Sequence, residues 1–192
     1  TLTLTDINDE APVITSGTTA TALVENTTYN TSAVVYQAAA TADVAGETIS
    51  WSLSGADADD FDISKDDAVT FKDDTTHDNE VKDSYQFTIL ASSGSSSAAS
   101  QDVQIAVQDV SEAPRSNASA TIPDGVKDVA YHLSLSTLFT DPDDGDSLSY
   151  SASYLPSGWY ITNGFLRHDA PAAGTYNLSY IAATDSGNLF SQ

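Results

Sequence analysis

Apolar and polar residues alternate along most of this chain, and the three-to-four-residue spacing of amphipathic helices is nearly absent. Period-two patterning puts successive side chains on opposite faces of an extended strand. In the first half it predicts strands at TATALVE (19–25), TSAVVYQAAA (31–40), ETISWSLSG (47–55), AVTFK (68–72), SYQFTILAS (84–92) and QDVQIAVQD (101–109). Clusters of Ser, Gly, Asp and Asn separate them, as loops between strands require. About seven short strands in about 100 residues is the count of an antiparallel β-sandwich of immunoglobulin-like shape.

After Pro114 the pattern restarts, with ASATI (118–122), VAYHLSLS (129–136), SLSYSASY (147–154), GWYI (158–161), GFLR (164–167) and TYNLSYIAAT (175–184). A chain of 192 residues has room for two domains of this size. The predicted fold is all-β: two tandem antiparallel β-sandwiches, one over 1–112 and one over 113–192. The opening TLTLTDINDEAP (1–12) is echoed by VQIAVQDVSEAP (103–114), so residues 1–9 read as a leftover strand and linker of a preceding domain. Aligning YQFTILASSGSSSAASQ (85–101) with YNLSYIAATDSGNLFSQ (176–192) leaves the second half without a counterpart of DVQIAVQD. The second sandwich is therefore expected to lack its final strand. That strand would follow directly, follow after an inserted domain, or be added from another molecule with TLTLTD as donor.

Charge changes the picture more than length does. The net charge is -22, from 28 acidic and 6 basic residues. Such a surface repels phosphate backbones and anionic lipid, which argues against nucleic-acid partners. No apolar run is long enough to insert in a bilayer as a helix. Leu, Ile, Val and Phe make up about 21% of the residues, close to the roughly 20% below which chains stay disordered. The periodic placement of these residues and the 9 Tyr and 2 Trp argue for folding nonetheless. Zero cysteines exclude disulfides and thiolate metal sites, leaving hard cations with oxygen ligands as the natural counterpart of so many acids.

The acids are not scattered. In the first half Glu25 stands in VEN, Asp78 and Glu80 in HDNE, and Asp109 and Glu112 in DVSE. In the second, Asp141, Asp143, Asp144 and Asp146 stand in TDPDDGD and Asp185 in TDSG, all at predicted strand ends. Ca²⁺ takes 6–8 oxygens, which several carboxylates and carbonyls supply together.

Several of these motifs carry a resemblance. DINDEAP resembles the Asp-x-Asn-Asp-x-x-Pro linker between cadherin repeats, VEN their first-strand Glu, and DNE before VKDSYQFTILA their Asp-x-Glu motif. GADADDFDI (55–63) resembles the cadherin segment that leads to a buried Phe. In the second half LFTDPDDGDSLSYSA, LPSGWYI and GTYNLSYIAATDSG resemble the bacterial dystroglycan-type cadherin-like domain. Such tandem repeats are typical of giant bacterial RTX-type surface adhesins. The resemblance implies cadherin-like sandwiches and a calcium cofactor at the joint. Glu25, Asp78, Glu80, Asp109 and Glu112 would come from the first domain and Asp141, Asp143 and Asp185 from the second, with Asp146 and then Asp144 behind them. Asn8 and Asp9 would belong to an earlier cluster.

Two departures fall together. ATADVAGE leaves only Asp43 of an expected Asp-x-Asp pair, and ASSG puts Ser93 where an acid is expected, so an upstream calcium site is expected to be weakened or lost. Ser111 replaces the linker Asn in DVSE.

The function so implied is a calcium-rigidified extender of an extracellular, cell-surface bacterial adhesin, presenting a ligand-binding domain. Its partners would be calcium ions, neighbouring domains of the same adhesin and, through an adjacent domain, a glycan or protein ligand. The alternative is a carbohydrate- or peptide-binding module using aromatics near Trp159, with Tyr154 and Tyr160 beside it. Trp51 and Trp159 alternate inward and fit core positions. Asp57, Asp59, Asp60, Asp66, Asp67, Asp73 and Asp74 fit no linker motif and read as a solvated surface. His77, His132 and His168 fall in no catalytic spacing, and no carboxylate pair stands out for glycosidase-type chemistry, so no enzyme is expected.

Overall fold

The computed structural model describes residues 1–5, 7–94, 96–143, 145–178 and 180–191. The chain divides into two compact units, Thr1–Val110 and Ser111–Gln192. Among the described residues both are all-β apart from two single 3-10 turns, Ala58–Asp60 and Leu135–Thr137. No helix among the described residues is long and apolar enough to cross a membrane.

In the first unit the alternation of SYQFTILAS and QDVQIAVQD becomes the antiparallel pair Ser84–Ser93 and Ala99–Gln108. Tyr85 lies opposite Ile105 and Phe87 opposite Val103, and all four are buried. Ile49–Ser54 extends the sheet on one side, and Leu23–Val24 joins the other in parallel. A three-stranded sheet, in the order Tyr36–Gln37, Ala68–Phe71, Phe61–Ile63, supplies the opposing layer. The core between them is aromatic: Phe61 lies 4.6 Å from Phe71 and 4.9 Å from Phe87, ring centre to ring centre. Trp51 packs half-buried against this core. Two short pairs, Val13–Ile14 with Ala40–Thr41 and Thr28–Tyr29 with Thr75–Thr76, complete the unit.

The second unit repeats the sandwich with fewer paired residues. One sheet runs Tyr131–Ser134, Phe165–His168, Tyr160–Thr162; the other runs Ser149–Ala152, Ile181–Thr184, Phe190–Ser191. Arg115–Ser116 pairs with Phe139–Thr140. Asn163 and Gly164 link Thr162 to its partner Phe165, with φ of 50° and 78°. Positive φ at both positions is what a two-residue hairpin of right-handed twist demands, and Asn-Gly adopts it most readily. Leu135, Leu166 and Ala183 form the fully buried centre, with Tyr131, Leu133, Phe139 and Ile181 around them and Trp159 half-buried against them.

Several predicted strands are shorter or absent. ASATI (118–122) forms none: the stretch from Thr121 to Ala130 is exposed throughout, because Pro123 has no N–H for a ladder and Tyr131 Oη instead ties down its carbonyl at 2.8 Å. Among the described residues of TYNLSYIAAT, the strand is Ile181–Thr184. TSAVVYQAAA breaks into Tyr36–Gln37 and Ala40–Thr41, since Val35 and Tyr36 are buried in succession while Val34 is left exposed. TATALVE contributes Leu23–Val24, with a parallel bridge from Thr19 to Gln104. Thr1–Thr5 belongs to no strand, and Leu2 and Leu4 are exposed.

Candidate metal centre

In the first unit Glu25 directly follows Leu23–Val24, whose parallel pairing with the end of Ala99–Gln108 carries it to the foot of the sheet. It is 2% exposed. Both of its oxygens are held by backbone: Oε2 accepts from Asn79 N–H at 2.7 Å and Oε1 from Val110 N–H at 2.5 Å. The left-handed Asn26 (φ 56°) turns the chain immediately after it, and its N–H reaches the His77 carbonyl at 2.9 Å. Glu25 is thus fixed as a buried carboxyl group with one backbone donor on each oxygen.

Glu25, Glu80 and Asp109 each bring a carboxylate oxygen within 4.8 Å of the others. Three anions so close repel. The Glu80 carboxyl is pushed above its ordinary value by desolvation, then by the Glu25 charge and by a hydrogen bond and charge from Asp78. Asp78 itself stays exposed, its Oδ1 accepting from Val81 N–H at 3.2 Å, and lies outside the three-membered group. Asn79, the middle residue of the Asp-x-Glu motif, was not singled out by the sequence reading. Its side chain donates to the Val107 carbonyl at 2.7 Å while its backbone holds Glu25. Its place between two predicted ligands was the available signal.

The second unit holds a separate group. Asp141, Asp143 and Asp146 bring carboxylate oxygens within 4.8 Å of one another. The turn after Phe139–Thr140 places them: Asp143 N–H bonds Asp141 Oδ1 at 3.0 Å, and Asp146 N–H bonds the Asp143 carbonyl at 3.3 Å. Asp185 follows Ile181–Thr184, with Oδ1 accepting from Leu189 N–H at 2.8 Å. Asp143 Oδ2 accepts from the Glu112 backbone N–H at 2.7 Å, so Glu112 belongs to this unit and contributes its amide here. The Glu112 carboxylate lies 3.6 Å from Arg115. Asp146 takes the Ser186 hydroxyl at 2.8 Å. Asp144 lies outside the described residues.

The telling feature is what these carboxylates lack. Asp141 Oδ2, Asp143 Oδ1 and Asp185 Oδ2 are buried with no hydrogen-bond partner among the described residues. A buried carboxylate oxygen without a donor costs more than the net stabilisation its hydrogen bond would have contributed. Burial pushes the Asp141 carboxyl up, and the charges of Asp143, Asp146 and Asp185 push it further, against one lowering N–H from Asp143. All-oxygen donors, several of them carboxylates without counter-charge, suit a hard divalent cation and above all Ca²⁺.

At the opposite end of the first unit the acids are sparser. Asp43 Oδ2 accepts long bonds from the Asp9 and Glu10 N–H groups, at 3.4 and 3.3 Å. The Asn8 amide donates to Glu47 and to both Ser93 oxygens, its own Oδ1 being buried without a partner among the described residues. Among the described residues no group of three carboxylates forms there.

None of the three histidines lies in either group. His77 is buried among Tyr29, Phe71 and Tyr85, with Nδ1 3.1 Å from Tyr85 Oη. Desolvation and the nearby Lys82 charge hold it below its usual value, in its neutral form.

No protein-family model matches the chain, and no curated protein does. Solved structures do match in fold. The protocadherin GammaB4 extracellular domain superposes with a TM-score of 0.68 at 20% identity, over 97% of this chain and 34% of that one. Human protocadherin-24 EC1-2 gives 0.60 at 21% identity, over 95% and 92%, and mouse cadherin-23 EC22-24 gives 0.65 at 22%, over 97% and 63%. The chain thus spans about a third of the first of these. At such identities the likeness establishes the fold, the cadherin-like β-sandwich.

Proposed function

We propose that this chain is a calcium-stiffened extender segment of an extracellular adhesin, of the bacterial surface type its second half resembles, positioning a ligand-binding domain at a distance from the cell. The observation that carries the reading is the set of buried carboxylate oxygens of Asp141, Asp143 and Asp185 that have no donor among the described residues, together with the Glu25, Glu80, Asp109 group. Calcium supplies the missing positive charge at both.

Without calcium the carboxylates on either side of Val110–Ser111 repel, and the joint hinges. With calcium the acids are neutralised and the joint stiffens. Glu25, Glu80, Asp109, Asp141, Asp143, Asp146 and Asp185 serve as ligands, with Asp78 and Glu112 in support. A net charge of -22 fits a protein that works where calcium is plentiful.

Small-angle scattering and thermal melting of the chain, first in calcium and then in chelator, test the proposal. A longer, narrower particle with a higher melting temperature in calcium supports it. Unchanged dimensions and an unchanged melt refute it.

A further inference from the structure

We propose that the second unit also carries a saccharide-binding pocket, on a cavity of about 410 Å³ lined by Tyr131, Trp159 and Tyr176. The volume falls within the roughly 300–1,000 Å³ of small-ligand sites, and an aromatic lining with a few polar groups is their usual composition.

The cavity is built rather than left over from loose packing. Trp159 stands at its centre of contacts, 5.3 Å from the Tyr131 ring and 5.2 Å from those of Tyr176 and His168. Two loops form its walls, and each is anchored through a ring: Tyr131 Oη donates to the Pro123 carbonyl at 2.8 Å, and Tyr176 Oη to the Ala172 carbonyl at 2.9 Å. The loops are tied to each other where Asp128 N–H meets the Pro171 carbonyl at 2.9 Å. Gly125 lies so close to Tyr131 that a Cβ there would be 2.9 Å from the ring. None of these residues belongs to either carboxylate group.

The polar groups select the ligand class. Asp124 and Lys127 both line the cavity and are exposed. The indole N–H of Trp159 is buried and has no acceptor among the described residues. Among the described residues Lys127 pairs with Asp128 at 3.4 Å, a solvent-exposed ion pair that is weak by nature. An apolar ligand would gain nothing from Asp124 or Lys127 and would cost both part of their hydration. A proline-rich peptide offers carbonyl acceptors to Lys127 but few donors for Asp124. An anion meets the field of a -22 protein. A neutral sugar presents a C–H face to the rings and hydroxyls that both donate and accept, which answers Asp124 and Lys127 together. Tyr154 and Tyr160, the sequence's candidate companions of Trp159, are not among the lining residues; Tyr131 and Tyr176 take their place.

The test is NMR titration of the whole 192-residue chain with the methyl glycosides of glucose, galactose, mannose and N-acetylglucosamine, in calcium and in chelator. The expected result is a saturable shift of the Trp159 indole resonance with at least one glycoside, while Trp51, in the first unit, stays still as an internal control. Asp124→Ala and Lys127→Ala, at exposed positions that do not threaten folding, each weaken that binding at least about tenfold, as loss of a hydrogen bond to a charged group does. No saturable Trp159 shift with any of the four overturns the proposal. So does unchanged affinity in either variant, or a shift produced by a polyproline peptide alone. The calcium reading stands or falls separately, since its variants lie elsewhere.

Discussion

Replacing Glu25 by Gln separates a structural anion from a metal ligand. Gln keeps one carbonyl oxygen and sets an amide against one of the two backbone donors, Asn79 N–H or Val110 N–H, that Glu25 satisfies. Leaving one buried N–H without an acceptor costs about 1–3 kcal/mol, less whatever is recovered by relieving the repulsion with Glu80. For a unit of the size of Thr1–Val110, 1 kcal/mol moves the melting temperature by about 4 °C, so the loss in chelator is about 4–12 °C. In calcium a further effect applies. At an ion concentration of about 1,000 times Kd, the wild type gains about 4 kcal/mol by mass action, or about 16 °C. Each tenfold loss of affinity removes about 1.4 kcal/mol of that, about 6 °C. Differential scanning calorimetry of wild type and Glu25→Gln, each in calcium and in chelator, gives a four-cornered cycle whose coupling is the metal contribution. The variant is expected to lose more in calcium than in chelator, by about 6 °C per tenfold of affinity lost. Equal losses in the two buffers would reduce Glu25 to a cap on two backbone amides and refute its role as a ligand.

Asp185→Asn keeps the oxygen that accepts from Leu189 N–H and removes the charge of the unpartnered one; thermal melts should show it more stable than wild type in chelator, by about 1–3 kcal/mol, and less stable in calcium, and a shift of the same sign in both would count against the site. Because Glu80 and Asp141 hold their protons to higher pH than ordinary carboxyls, calcium must displace those protons. Titration calorimetry should therefore show affinity falling as the pH is lowered from neutral, beginning above the ordinary carboxyl range, with proton release on binding, and a flat profile would contradict the clustering. At Asp57, burial would raise the pKa, but Lys82 and the Gln86 N–H bring it below its ordinary value. Its stabilisation is fully present above the ordinary carboxylate range and is lost as pH falls through the lower folded value. Asp57→Ala should thus cost about 1–2 kcal/mol at neutral pH, and chemical denaturation should show the gap to wild type closing below about pH 4.

The strands that were legible in the sequence are those in which one face meets the core and the other meets water. Along Ser84–Ser93 burial alternates residue by residue, so Tyr85, Phe87, Ile89 and Ala91 announce themselves against Gln86 and Thr88. In TSAVVYQAAA and TYNLSYIAAT the same letters alternate without the same environment. Two adjacent side chains, Val35 and Tyr36, turn inward together, and Tyr180 takes a left-handed φ of 71° just before its strand. Alternation of small residues such as ASATI carries little burial free energy, so nearby Pro123 and Gly125 decide the backbone there.

The acids were legible for a related reason. A carboxylate is tolerated where a strand leaves the core and its neighbours' amides come free, and that is where Glu25, Asp109, Asp141 and Asp185 sit, next to Val24, Gln108, Thr140 and Thr184. What no spacing rule gives is which oxygen goes unanswered, since that depends on amides supplied from far along the chain: Val110 for Glu25, 85 residues away, and Glu112 for Asp143, 31 residues away. Asp78 and Glu80 show the consequence. They stand two positions apart in the same motif, yet Val81 N–H takes up Asp78 while Glu80 is turned into the crowded group and its carboxyl is driven upward. The motif specifies that acids gather at the strand ends; the long-range amides decide which of them a cation has to neutralise.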